Sequence, residues 1–311
     1  MDDDPSAPPS RAYLLVGALL VAGGAMLFAS KGIVAKRLYA AGIGFEALTA
    51  IRALIAMPFF WAFAAAREGA TIVRTTRSRA VAAAALAGFI CYYIGALLDF
   101  QALTLIDASI ERVLMFSYPA IVVLFVSVQK RQWPQPPVLA AVALTYVGIF
   151  LAVGGLDQRE FRADLLGVAL VLTSAVTYAI YFMIGARYTR EIGSSRFTLF
   201  AMTAAAVALG LHLFIRHGWS GVAGIPPEGW FWLAVLGVFV MFFPALMQAE
   251  GMRRIGAQRS ALVSTAGPPT TIVLAWLLLG ERMTGWQLLG VALIVAGILV
   301  LDLARPNRPT T

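Results

Sequence analysis

The chain has 311 residues, of which 60% are hydrophobic and 13% charged, and its mean hydropathy is +0.82. A soluble domain carries about 45–50% apolar and about 25% charged residues, so a water-soluble globular fold is excluded. The net charge of +8 raises nucleic acid as a partner, but in a chain this apolar the basic residues belong to cytoplasmic loops, where they fix topology, and no nucleic acid is expected.

The first ten residues are acidic and proline-rich, the composition of a disordered tail, and the tail is expected over 1–12. Apolar runs of near 20 residues then recur to the end, the length a helix needs to cross ~30 Å of hydrocarbon. The alternating ~10-residue segments of a β-barrel do not occur. Ten spans are expected, at roughly 13–36, 45–66, 80–103, 108–128, 136–154, 164–187, 195–216, 228–250, 257–279 and 283–304. The first is too long for a signal sequence and is read as a membrane helix. Short connections rich in Gly, Pro and charge separate them, such as Trp133-Pro-Gln-Pro-Pro137 and Ile225-Pro-Pro-Glu228. Residues 305–311 form a second tail.

Loop arginines and lysines set the orientation. With the N-terminus inside, the inner segments hold fifteen of them, including Arg74, Arg77, Arg79, Lys130, Arg253 and Arg254, and the outer segments hold six. Both termini are therefore expected in the cytoplasm, with the protein in the inner membrane.

The chain also repeats itself. The run from Ala108 to Ile149 returns from Ala257 to Ile298 without a gap: Leu139-x-x-Val142-Ala143-Leu144-x-x-x-Gly148-Ile149 recurs as Leu288-x-x-Val291-Ala292-Leu293-x-x-x-Gly297-Ile298. Leu15-x-Gly17-x-x-Leu20-Val21 likewise matches Leu165-x-Gly167-x-x-Leu170-Val171. Two units follow, 13–154 and 164–304, each of five helices. An odd number makes the second unit enter from the opposite face. The fold class is thus an all-α polytopic membrane protein, ten transmembrane helices in two inverted five-helix repeats. Such repeats place a substrate site near the midplane, between the halves, and permit alternating access.

This arrangement, with proline in the fourth helix of each unit, resembles the drug/metabolite transporter superfamily, specifically its EamA type. The second unit carries the fuller signature: Pro268, then Trp276-Leu-Leu-Leu-Gly280-Glu281-Arg282, Trp286-Gln287-x-x-Gly290 and Gly297. In the first unit the Gly-Glu-Arg positions are Arg131, Gln132 and Trp133, a divergent loop. The resemblance implies a small-molecule transporter, with amino acids or related metabolites as substrates and export as the direction, acting as a monomer or weak dimer among membrane lipids.

Ionisable groups within the spans cost at least ~2.5–3.5 kcal/mol at the bilayer centre, so each needs a reason. Lys31, Arg52, Asp99, Glu111 and Arg112 all fall at the outer level of the first unit. Their counterparts in the second, such as Tyr181, Met202 and Gln248, are uncharged. Two readings stay open. The layer is an outer gate of ion pairs, with Lys31 facing the cavity and a substrate carboxylate, or Lys31 and Arg52 snorkel outward while Glu111 and Arg112 cap a helix. In the first reading Lys31→Ala abolishes transport and leaves folding intact.

Helix-breaking prolines sit mid-span, Pro119 after Ser117-Tyr118 and Pro268-Pro269 after Ser264-Thr265. Transporters bind substrate and bend at such breaks, although prolines also kink helices merely to improve packing. Ser117, Tyr118, Tyr178, Tyr181, Thr265 and Trp276 complete the expected cavity. Glycine stripes through Gly17, Gly24, Gly88 and Gly95 read as helix-packing faces.

The sequence holds no phosphate loop and no nucleophile elbow. His212 and His217 lack ligand-spaced partners, so no metal and no cofactor is expected. An enzyme acting on lipid at the outer interface, or a passive channel, are the competing classes. Coupling through Asp99 or Glu111 and simple uniport both remain open.

Overall fold

A computed structural model describes residues 10–69, 76–129, 131, 136–152, 165–264, 267–280 and 284–303. Outside them lie most of the N-terminal tail, the tail at 305–311, Arg74, Lys130, Gln132, Trp133, Thr265 and the Glu281-Arg282 pair.

The described chain is helical throughout. Helices α1 (Arg11–Ala29) and α2 (Lys31–Ala40) form one bent span, α3 is Phe45–Glu68, and α4 (Ser78–Gly88) runs through a π-helical segment, Phe89–Gly95, into α5 (Ala96–Ala102). Next come α6 (Ala108–Met115), α7 (Tyr118–Gln129) and α8 (Pro136–Ala152). The later part holds α9 (Leu165–Ile192), α10 (Ser194–His217) and α11 (Pro227–Val235). A second π-helical segment, Leu236–Phe242, follows, then α12 (Phe243–Val263), α13 (Gly267–Leu279) and α14 (Gly285–Leu303).

Among the described residues, seven stretches are long and apolar enough to cross a membrane: Arg11–Ala40, Phe45–Glu68, Ser78–Ala102, Ile110–Gln129, Leu165–Ile192, Ser194–Gly221 and Pro227–Ala257. The chain is a multi-pass membrane protein. Helices α8, α13 and α14 occupy the remaining expected spans, and α8 packs along α14 in the most extensive helix contact of the molecule. Large apolar side chains such as Leu15, Leu19, Leu277 and Leu278 stay exposed, as helices facing hydrocarbon require.

Local chemistry explains the breaks. Ser10 caps α1 by accepting a hydrogen bond from the Tyr13 amide at 3.2 Å. At the α1–α2 bend the Ser30 hydroxyl donates to the Leu27 carbonyl at 2.9 Å, which makes Lys31 the first residue of α2. Gly256, at φ 79°, kinks α12 just before Ala257, and only glycine reaches that backbone region at low cost.

The breaks keep the register of the repeat. Helices α7 and α13 start at Tyr118 and Gly267, 149 positions apart, and α6 starts at Ala108 while α12 resumes at Ala257 after its kink, again 149 apart. The two π-helical segments overlap in the same register. A π turn inserts a residue into the helical ladder and turns the side chains after it, and here it lies one or two turns before Asp99 and Gln248.

Small residues let the helices cross closely. A Cβ placed on Gly88 would lie 1.9 Å from the Ala201 carbonyl oxygen of α10, and one on Gly95 would lie 2.1 Å from Thr177 Oγ1 of α9. No side chain fits at either crossing.

Candidate functional site

The crossings leave a cavity between the two sequence halves. Lys31, Arg52, Asp99, Phe100, Arg112 and Tyr118 line it from the first half, and Ser174, Tyr178, Gln248 and Ser264 from the second. It leaves about 40 Å³ to the centre of a water molecule, within about 560 Å³ of non-atom space that includes open solvent.

Five charged side chains are buried among the described residues, and all belong to this site: Lys31, Arg52, Asp99, Glu111 and Arg112. The bend at Ser30 turns Lys31 inward. Its ammonium donates to Asp99 Oδ2 and, at 3.1 Å, to Glu111 Oε1. Two carboxylates therefore share one cation that has no exposed surface. Burial argues against the snorkelling alternative: Lys31 and Arg52, at 0% and 2% exposure, are enclosed by the protein and do not extend to its surface. It also changes the expectation that Lys31→Ala leaves folding intact, since removing a fully buried cation that pairs with carboxylates costs stability.

Both arginines are held by rings. Arg112 donates to the Phe28 carbonyl, and its Cζ lies 5.1 Å from the Phe28 centroid. The Arg52 Cζ lies 4.4 Å from the Phe100 centroid, within cation–π range. Phe28 and Phe100 also flank the Lys31 ammonium, at 5.3 and 5.4 Å.

The other half of the cavity is neutral and hydrogen-bonded. The Tyr178 hydroxyl donates to Gln248 Oε1 at 2.9 Å, Tyr118 donates to the Ala261 carbonyl at 3.3 Å, and Ser174 donates to the Gly95 carbonyl at 2.9 Å. Tyr118 meets Tyr178 edge-on with centroids 4.9 Å apart. Gln248 and Asp99, matched positions of the repeat, thus line one cavity, a neutral group answering a charged one.

The sequence-predicted residues divide accordingly. Lys31, Arg52, Asp99, Arg112, Tyr118 and Tyr178 come together at the wall, with Glu111 behind Lys31. Tyr181 is fully buried one layer back, edge-on to Tyr92 at 5.1 Å. Ser117 is buried at the α6–α7 break beside Pro119, and its hydroxyl has no hydrogen-bond partner among the described residues. Pro268 and Pro269 fall in the first turn of α13, where the missing amide breaks no helical bond, so the break precedes them. Trp276 is 60% exposed and stands apart from the cluster. Sequence reasoning passed over Phe28 and Phe100, and it matched Gln248 to Asp99 without placing it in the cavity; an apolar ring inside an apolar helix carries no distinguishing signal.

A second polar cluster sits at the far end of α10. Glu46, at the start of α3, meets His212 Nε2 at 3.3 Å and also pairs with His217, and the Tyr93 hydroxyl lies 3.1 Å from His212 Nδ1. Both histidines therefore have a carboxylate neighbour that sequence spacing did not reveal. Among the described residues no group of three or more His, Cys, Asp and Glu is placed to hold a metal ion.

Comparisons with known proteins agree with this architecture. A model of the EamA-like transporter family matches residues 15–154 and again residues 165–302. The uncharacterized transporter YcbK of Bacillus subtilis is 34% identical over 278 residues, 88% of each chain. The uncharacterized inner membrane transporter YicL of Salmonella typhimurium is 26% identical over 203 residues, 65% of this chain and 66% of that one. A crystal structure of a protein 19% identical in sequence superposes with a TM-score of 0.68, covering 94% of this chain and 98% of the other.

Proposed function

We propose a secondary, alternating-access transport function for this chain, which belongs to the EamA-like transporter family. In this reading ten helices form two inverted five-helix repeats, 13–154 and 164–304, and both termini are cytoplasmic. The cargo is a small metabolite, an amino acid or a related compound, exported across the inner membrane without ATP. The observation that carries it is the buried ion cluster, Lys31 between Asp99 and Glu111, at the wall of a cavity built from both halves. Buried charge is costly in a membrane, and a chain keeps it where something polar must pass.

The helix restarts and π segments that recur in register support the inverted arrangement, because each half then bends at the same place on opposite sides of the cavity. The Lys31 network acts as the outer gate. Opening outward separates Lys31 from its carboxylates and hydrates them, and the Tyr118, Tyr178 and Gln248 side yields when the cavity opens inward.

Proteoliposome uptake and counterflow with a panel of amino acids, nucleosides and drugs, with and without a pH gradient, tests the proposal. Saturable counterflow of an unaltered compound is the expected result. Unsaturable flux would make the protein a channel, and chemical change of a lipid or solute would make it an enzyme.

A further inference from the structure

The buried charges do not balance. Three cations, Lys31, Arg52 and Arg112, face two carboxylates, Asp99 and Glu111. Lys31 takes both carboxylates as its hydrogen-bond partners, and Arg112 spends a donor on the Phe28 carbonyl. Arg112 still leaves its Nε without a partner among the described residues, and Arg52 leaves two donors: it lines the cavity at 2% exposure, and its Nε and Nη1 have no hydrogen-bond partner among the described residues. Those two nitrogens lie on different edges of the guanidinium fork, so both edges can still donate. The Phe100 ring beneath Cζ holds the group in place.

A guanidinium with donors unspent is a poor structural element and a good receptor. A carboxylate offers acceptors in the geometry the fork fits, and one negative charge brings the cluster to neutrality. The remaining wall beside it is largely apolar and aromatic, with Tyr92, Met115 and Phe116. We infer that Arg52 is the specificity-determining residue of the cavity, and that the cargo is an organic monocarboxylate with an apolar body, selected by its carboxylate and not by an amino group. The inference rests on the transport reading and narrows its substrate class. On it, deaminated acids serve as well as amino acids.

The test uses four probes that share one body: 3-phenylpropionate, phenylalanine, 3-phenylpropanamide and phenethylamine. Thermal unfolding of the purified full chain reads binding, since a ligand of the folded state raises the midpoint. The two carboxylates should raise it at concentrations at least tenfold below those needed for the amide, with phenethylamine inert. Arg52→Gln should erase that ratio, and Arg52→Lys, which keeps the charge but loses the fork, should shrink it. Equal binding of amide and acid by the wild type, preference for the amine, no response to any probe, or a ratio that survives in Arg52→Gln would each overturn the inference. The wild-type ratio decides even where a variant fails to fold. Counterflow in proteoliposomes separates the two levels: a carboxylate preference in binding without counterflow sinks transport alone, while counterflow that ignores the carboxylate sinks the Arg52 assignment alone.

Discussion

Removing the shared cation should expose how much the gate contributes to stability. In Lys31→Met the aliphatic volume stays and the ammonium goes. Asp99 and Glu111, whose side chains are 6% and 1% exposed, then lose the only cation among the described residues in salt-bridge contact with either. Breaking a buried ion pair from one side costs about 3–5 kcal/mol. At ~2–4 °C per kcal/mol for chains of somewhat smaller size, the unfolding midpoint should fall by about 6–20 °C. The assay is built in: Cys91 is the single cysteine and is buried, so its labelling by a thiol-reactive dye reports unfolding. The triple variant Lys31→Met, Asp99→Asn, Glu111→Gln removes all three charges and should recover most of the loss, because uncharged replacements of a buried ion cluster are often neutral in stability. It should not recover transport. A Lys31→Met midpoint equal to wild type would refute the reasoning, since it would mean that the carboxylates are hydrated or otherwise compensated.

Other substitutions probe the scaffold. Gly88→Ala forces a methyl group into the Ala201 carbonyl, so α4 and α10 must part; a loss above about 3 kcal/mol should appear as poor yield or a lower midpoint by the same dye assay. Tyr178→Phe leaves the buried Gln248 carbonyl oxygen without its donor and should cost ~1–3 kcal/mol, measured as a midpoint shift in detergent. Trp276→Phe changes a side chain 60% exposed and should alter stability by no more than ~0.5 kcal/mol with unchanged uptake, the opposite of what a cavity ligand would do. Arg196→Ala breaks the pair with Glu68, whose side chains are 26% and 23% exposed; the cost should stay within ~1 kcal/mol and shrink in high salt.

The amino-acid order alone determined the membrane class, through apolar runs of spanning length, and it determined the repeat, through one register held across Ala108–Ile149 and Ala257–Ile298. It pointed to breaks near Pro119 and Pro268, but not to the bend at Ser30, the kink at Gly256 or the two π-helical segments. Tertiary structure alone decided which way each side chain faces. In water, a helix advertises its inner face by being polar on the other. In a bilayer both faces are apolar, one for neighbouring helices and one for lipid, so the 3.6-residue period cannot separate Tyr178 at the cavity wall from Trp276 on the outside. Pairing across the fold was likewise beyond the sequence: Lys31 lies 68 and 80 positions from its two carboxylates, and Glu46 lies 166 from His212. The charges were visible as a costly layer, but which of them partner each other, and that Arg52 keeps donors unspent, depends on how the helices cross, and glycines without side chains set that spacing.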